Sequence, residues 1–148
     1  MAAGSGLTAA ADLTVARTLV AQASGYSATG ANWVALYTTQ FTAAAKAGAT
    51  EWTSASDTSY ARQAMGASGA GWTMGAYVSA TGVAFNNNAQ VQFPAVSGNA
   101  QTLFSVGFCD ALTSGNIQLF SDLANSNAVA LNVNVQFNAN TDIVFTIY

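Results

Sequence analysis

Hydrophobic and polar residues alternate along much of the chain after Gly30, and a period of two predicts half-buried β-strands. The clearest case is residues 129–137, where Val, Leu, Val, Val and Phe alternate with Ala, Asn, Asn and Gln. One face of this segment is apolar and the other is small or polar, so we expect one strand with one face in a core. Shorter segments of this kind are residues 33–38, 83–85, 91–93, 104–108, 117–119 and 143–147.

Turn-forming residues separate these segments, and no helical pattern lies between them. The turns are rich in Asn, Ser and Gly, at residues 86–88, 97–99, 114–116 and 138–140. Roughly seven or eight short strands without intervening helices are typical of an all-β fold. The sequence therefore predicts a mainly β protein, an antiparallel β-sandwich of jelly-roll-like type.

The N-terminal part has a helical period instead. In residues 7–22, Leu13, Ala16 and Val20 fall on one face of a short helix. An Ala-rich helix of this length is marginal alone and gains stability from a partner surface. We therefore predict one short N-terminal helix, with Leu13 and Val20 as candidate assembly contacts. The chain then divides into an N-terminal arm, residues 1–30, and a single β domain, residues 31–148.

A long segment, residues 42–71, lacks both periods and is rich in Ala, Ser, Thr and Gly. Its large side chains are Trp52, Tyr60 and Met65. Loops longer than about 15 residues are uncommon unless they have a function. We expect a long ordered loop here, with Trp52 and Tyr60 as candidate contacts to another subunit.

Charge is scarce throughout the chain, which has three basic residues, six acidic residues and no histidine among 148. Charged residues make up 6% of the sequence, against about a quarter to a third of a typical soluble surface. The surface must therefore consist of Ser, Thr, Asn, Gln, Gly and Ala. Such a surface costs little to desolvate, which favours contact with other neutral protein surfaces.

The same composition bears on partners and location. A net charge of −3 without a Lys/Arg cluster disfavours nucleic acid and anionic membranes as partners. The start of the chain has no signal-peptide pattern, and no segment approaches the roughly 20 apolar residues of a membrane span. We expect a soluble product made in the cytoplasm.

Residues that could carry out catalysis are few. A serine nucleophile lacks its usual histidine base, and a Ser–Lys arrangement could use only Lys46. Cys109 lies in an apolar stretch and is predicted to be a small buried residue, and a zinc site lacks ligands. Paired carboxylates could in principle hydrolyse a glycosidic bond, although turn and cap roles are the expectation for Glu51, Asp57, Asp110, Asp122 and Asp142. The sequence predicts no catalytic residue, metal or cofactor.

Four short motifs follow one another in order: Trp-Val-Ala-Leu-Tyr-Thr-Thr at 33–39, Tyr-Ala-Arg-Gln at 60–63, Val-Gln-Phe-Pro at 91–94 and Val-Gly-Phe-Cys-Asp-Ala at 106–111. Together they resemble a family of small virion proteins of tailed bacteriophages, over roughly residues 32–148. The resemblance implies a structural part of the particle, of the tail, head-fibre or capsid-decoration type. The longer N-terminal segment and the Phe108–Cys109 pair depart from the family pattern.

The leading hypothesis is a non-enzymatic capsid decoration protein located in the virion. The resemblance implies a homotrimer that binds the major capsid protein, and such binding stabilises the shell by linkage. The alternative is a receptor- or carbohydrate-binding module associated with tail or fibre proteins. In that case aromatic and amide side chains would contact sugars, namely Trp52, Trp72, Tyr60, Tyr77, Asn86, Asn87 and Asn88. A carboxylate-based hydrolase is the third hypothesis.

Arg62 and Asp110 lie beside apolar residues in a chain with few charges. Each would be costly to bury unpaired. We therefore predict an ion pair that holds the Tyr60 loop against the strand that ends at Asp110. The alternative is that Arg62 is exposed to solvent or reaches another subunit.

Overall fold

The computed structural model describes residues 32–41, 49–65, 71–76, 78 and 83–147. Within these residues there are nine strands and no helix: β1 (Trp33–Tyr37), β2 (Gln63–Ala64), β3 (Trp72–Met74), β4 (Val83–Asn87), β5 (Val91–Gln92), β6 (Gln101–Cys109), β7 (Ile117–Val129), β8 (Gln136–Phe137) and β9 (Val144–Ile147). All pairings are antiparallel. The predicted mainly β, antiparallel class is confirmed, while the jelly-roll sandwich stays a prediction.

The predicted N-terminal helix, with Leu13 and Val20, lies outside the described residues. The same holds for the whole predicted arm, residues 1–30, so the division at residue 30 stays a prediction. In the part of the chain that the structure describes, no helix is long and apolar enough to cross a membrane.

The strands form three sheets, with the orders β2-β1-β6-β7, β3-β4-β9 and β5-β8. At the centre of the first sheet, β1 pairs with β6 from Trp33 opposite Cys109 to Tyr37 opposite Ser105. Val34 and Leu36 face one core cluster, whereas Ala35 and Tyr37 face another. Burial on both faces explains why β1 is a continuous apolar run.

The larger core cluster takes side chains from all three sheets. Phe108 of β6 packs against Trp72 of β3 and Phe145 of β9, with ring centroids 5.6 and 5.1 Å apart. Phe93, just after β5, packs against Phe137 of β8. Aromatic rings bury large apolar areas and pack well edge to face, so they hold the three sheets on one core.

β7 lies at the end of its sheet and is interrupted by a wide bulge. Ser105 of β6 lies opposite Asp122, and Leu103 lies opposite Asn127, so residues 123–126 of β7 face only Phe104. Residues inserted in this way leave the ladder and bend the strand. Residues 124–128 are exposed to solvent.

The alternating stretch at residues 129–137 is not one strand, and that prediction is wrong. β7 ends at Val129, a turn follows in which Asn132 has a φ of 63°, and only β8 returns to strand geometry. Asparagine tolerates this left-handed conformation better than most residues. Leu131 and Val133 therefore lie 50% and 47% exposed instead of in the core.

Residues 123–141 carry no charged side chain, and most of them are exposed or half-buried. We call them the neutral segment. They include the bulge of β7, the turn at Asn132 and β8. Val96 N donates to Val133 O and Phe93 N to Val135 O, so hydrogen bonds to residues 93–96 hold the segment on the domain.

The predicted loop is described over residues 49–65 and at Gly71. Glu51 forms an isolated antiparallel bridge with Tyr37, and Trp52 N donates to Leu36 O at 2.8 Å. β2 pairs with the start of β1, where Ala64 lies opposite Trp33. These residues are therefore held against β1 over two short stretches.

Candidate binding groove

Three segments border an open groove of about 350 Å³, which we call the groove: residues 51–54, 60–62 and 112–114. The first segment lies along the end of β1 through the Glu51–Tyr37 bridge. The second leads into β2, and the third belongs to the turn after β6. The pairing of β1 with β2 and β6 thus brings together residues that are far apart in the sequence.

A bidentate ion pair lines the groove. Arg62 Nε donates to Glu51 Oε1 at 2.8 Å, and Arg62 Nη2 donates to Glu51 Oε2 at 2.6 Å. The Arg62 side chain is 9% exposed and that of Glu51 is 25% exposed. The hydrogen bonds to Glu51 raise the pKa of Arg62 above its usual value. Such paired, charge-assisted bonds fix both side chains in one orientation.

Tyr60 supports this pair from the core side. Its ring lies nearly parallel to Trp52 and Phe93, with centroids 5.9 and 6.1 Å away. Its hydroxyl donates to Glu51 Oε1 at 2.9 Å and accepts from Leu36 N at 3.2 Å. Burial raises the pKa of Tyr60, so the hydroxyl stays protonated as a donor.

The ion pair that we predicted between Arg62 and Asp110 is not the one that forms. Asp110 instead accepts hydrogen bonds from Asn116 N at 2.7 Å and from the side-chain amides of Asn116 and Gln118. The turn after β6 and the start of β7 supply these donors locally, whereas Glu51 is placed beside Arg62 by its bridge to β1. The expected link to the end of β6 exists in another form, because Arg62 Nη1 donates to Ala111 O at 2.8 Å.

The two candidate assembly contacts in the described residues are largely internal. Trp52 is 2% exposed and belongs to the larger core cluster, and Tyr60 is packed against the same cluster. Trp72 is 3% exposed. Trp52 packs against Tyr60, and Trp72 packs against Phe108 and Phe145, so these rings are largely taken up by contacts within the core. Tyr77 lies outside the described residues.

The Asn-rich turn at residues 86–88 is also built into the fold. Asn87 is fully buried, and its Nδ2 donates to Ala89 O and Asn138 O. Asn86 Nδ2 donates to Asn140 O at 3.2 Å. These amides join the turn after β4 to the turn before β9.

The described carboxylates mostly cap loops. Asp57 Oδ1 accepts from the backbone and hydroxyl groups of Ser59 and Ser97 and from Gly98 N. Asp122 Oδ1 accepts from the Ser105 hydroxyl at 2.6 Å and from Phe41 N at 2.9 Å. Among the described residues, no three His, Cys, Asp or Glu side chains gather at a place that could hold a metal ion.

Cys109 is fully buried, and burial raises the pKa of its thiol. Its Sγ lies 3.9 Å from the Tyr37 hydroxyl. A buried thiol with a raised pKa is a poor nucleophile. Cys109 is therefore a packing residue of the smaller core cluster, as the apolar stretch around it predicted.

Sequence reasoning missed part of the groove. From the sequence, Glu51 was a candidate carboxylate, but it was not predicted to pair with Arg62. Leu112 and Thr113 had no predicted role. The turn signal at residues 114–116 marked the position of the third segment. It could not show which other segments lie against it.

Comparison with known families and curated proteins bears on identity. A family model described as Podophage GP4 fiber I protein gp80 matches residues 7–144, which is all but the first six and last four residues. No curated protein sequence matches the chain. The match confirms the resemblance to virion structural proteins of tailed bacteriophages. The chain belongs to the podophage GP4 fiber I protein family, gp80, and is a phage virion structural protein.

Proposed function

We propose that the chain is a non-enzymatic structural subunit of the phage fibre, which assembles with copies of itself through neutral surfaces. The family description supports the fibre location. The observation that carries the assembly role is the neutral segment, which is largely exposed and free of charge over residues 123–141.

Exposed apolar side chains in this segment favour association. Leu131 and Val133 are about half exposed, and their neighbours are small or amide-bearing residues. The centres of protein interfaces are depleted of Lys, Glu and Asp, as this segment is. Contacts made only in the assembled particle add their binding free energy to it and so stabilise it by linkage.

Decoration of the capsid surface by a homotrimer bound to the major capsid protein is the second candidate. It is supported by the core, because all three sheets of the described residues share one cluster, as in a compact domain. The neutral segment would then contact capsid subunits or neighbouring copies. The two candidates differ in where the chain lies on the particle.

Quantitative mass spectrometry of purified virions separates them, with the major capsid protein as the internal scale. A copy number that is a small fraction of that of the capsid protein supports the fibre. A copy number close to that of the capsid protein supports decoration and contradicts the fibre. Immunogold labelling of the same particles gives an independent position, and absence of the chain from purified virions would overturn both candidates.

A further inference from the structure

The groove shares no residue with the neutral segment, and its features point to a ligand. Its volume of about 350 Å³ lies within the range of roughly 300–1,000 Å³ that small-ligand sites occupy. The groove is open to solvent on the side of the turn after β6, where Leu112 is 45% exposed. A site of this size needs no movement of the fold to admit a ligand.

The charge in the groove favours a neutral ligand. Glu51 and Arg62 are its charged lining residues, and they neutralise one another through two hydrogen bonds. The Glu51 carboxylate would repel an anion that approached the guanidinium. The Arg62 guanidinium would likewise repel a cation that approached the carboxylate. A metal ion would find one carboxylate at most.

The lining is rich in hydrogen-bonding groups held in place. Arg62 donates three of its five N–H groups to Glu51 and Ala111. The hydroxyl groups of Thr53, Ser54, Thr113 and Ser114 lie on exposed residues at the rim. Trp52 also lines the groove, and its buried Nε1 has no hydrogen-bond partner within the described residues.

Two modes of peptide recognition, strand addition and polyproline binding, do not fit this lining. Strand addition needs unpaired main-chain groups, but Trp52 N bonds to Leu36 O and Thr53 O accepts from Ser56 and Asp57. Recognition of a polyproline helix needs exposed aromatic faces, but Trp52 is buried and Tyr60 is half-buried and packs against Trp52 and Phe93. The lining instead suits a ligand that offers many neutral hydroxyl groups and some C–H surface.

We propose that the groove binds a neutral saccharide. The sugar hydroxyls bond to the fixed Glu51–Arg62 pair and to the rim hydroxyls, while a C–H face of the ring packs on Leu112. This site differs from the aromatic platform considered from the sequence, because its apolar contact is an exposed leucine. The proposal rests on the proposed function in one respect: a protein on the outside of a phage particle meets cell-surface polysaccharide.

The test is an NMR titration of the full chain, labelled with ¹⁵N, with maltotriose, mannotriose, chitotriose and a rhamnose disaccharide. We expect saturable shifts for at least one saccharide, with a dissociation constant of the order of 1 mM. The shifts should be confined to residues 51–54, 60–62 and 111–114 and should include the Arg62 Nε–H signal. Glucuronate and inorganic phosphate serve as anionic probes and should give none.

Two matched variants make the test specific. Leu112→Asp changes an exposed leucine in the groove, and Leu131→Asp changes an equally exposed leucine outside it. We expect Leu112→Asp to weaken saccharide binding at least about tenfold, a loss of about 1.4 kcal/mol, while Leu131→Asp leaves it unchanged. Leu112→Asp should keep the native spectrum outside the groove, and Leu131→Asp should change the spectrum only in the neutral segment.

Three results would overturn the proposal: no saturable shift with any saccharide of the panel, equal binding by the two variants, or tighter binding of glucuronate or phosphate. None of these results bears on the fibre assignment, which depends on copy number in the virion. Conversely, a high copy number would contradict the fibre location and leave the NMR result standing.

Discussion

At the scale of single residues, buried polar groups decide which loops lie together. Asp57 is 3% exposed, and one of its oxygens accepts from donors on Ser59, Ser97 and Gly98. Burial pushes the pKa of Asp57 upward, but the hydrogen bonds from Ser97 and Ser59 outweigh burial and hold it below its usual value. The carboxylate therefore joins the turn at residues 54–59 to the turn at 97–99.

Replacing Asp57 should be costly. Asp57→Ala leaves buried backbone donors unpaired, so we expect the free energy of unfolding to fall by about 2–4 kcal/mol. Chemical denaturation at neutral pH measures this loss. Asp142→Asn is the control, because Asp142 is exposed and bonds within its own turn, and it should cost less than about 1 kcal/mol.

The same carboxylate predicts a dependence of stability on pH. Because the folded pKa of Asp57 is depressed, its stabilisation is fully present above the unfolded pKa of about 3.9 and is lost as pH falls through the folded value. Asp57→Asn should lack this part of the acid transition. The difference in unfolding free energy between the wild type and Asp57→Asn should therefore shrink below about pH 4, and a constant difference down to about pH 2 would contradict the assignment.

Cys109 gives a further test at this scale. Its burial and raised pKa predict no reaction with Ellman's reagent in the folded protein and one equivalent after unfolding. The measurement is absorbance with and without denaturant. Rapid labelling of the folded chain would show that the smaller core cluster opens.

At the scale of elements, close packing between strands constrains β6. A Cβ added at Gly107 would lie 2.6 Å from Tyr37 Cε2 and 3.2 Å from both Cζ and the hydroxyl oxygen of that side chain. The ring is buried and packs edge-on against Phe41, with centroids 4.6 Å apart. Tyr37 therefore has little room to move, and glycine is needed at the centre of this strand.

Gly107→Ala should lower the free energy of unfolding by about 1–3 kcal/mol through overpacking. Gly75→Ala is the control, at the residue that follows β3. There the added Cβ would meet Ala84 O at 3.4 Å, an ordinary contact, so the change should stay within about 0.5 kcal/mol. Equal stability of the two variants in urea would refute the packing argument.

Elements also show what alternation can and cannot predict. The patterns around Val34, Val106 and Phe145 gave strands where the structure has β1, β6 and β9. At 129–137 the same pattern failed, because an asparagine that would fill the polar face of a strand is equally suited to a turn. β2 and β3 were not predicted, since strands of two and three residues depend on their partners more than on their own sequence.

The groove shows the same limit. That Arg62 needs a carboxylate follows from its apolar neighbours, but the choice between Glu51 and Asp110 depends on strand pairing. Asp110 directly follows the apolar strand β6 in the sequence. Its carboxylate nevertheless accepts its hydrogen bonds from nearby residues and not from Arg62. The need of Arg62 for a carboxylate could be predicted from the sequence, whereas the identity of that carboxylate could not.

At the scale of the whole molecule, the scarcity of charge predicts how the self-association that we propose depends on salt. Contacts through the neutral segment involve apolar and amide groups, which salt does not screen. Self-association should therefore change less than about threefold between roughly 0.05 and 1 M NaCl. Analytical ultracentrifugation measures it, and the oligomer formed also tests the predicted homotrimer.

Leu131→Asp should weaken this self-association, because it places a charge in an apolar contact, while the melting temperature of the single chain stays nearly unchanged. Leu112→Asp is the control outside the segment. If both variants associate like the wild type, the neutral segment is not the interface.

The wide bulge of β7 has a consequence for production of the protein. A strand of 13 residues at the end of a sheet, with Asp122 as its one charged residue, is a template on which further chains could add without limit. The bulge, with four residues opposite one, divides that template into residues 117–122 and 127–129. The longer part carries the charge of Asp122 and the shorter part has three residues, and both features disfavour the addition of further chains. A chain with almost no repulsive charge can thus reach high concentration in an infected cell and remain available for ordered assembly.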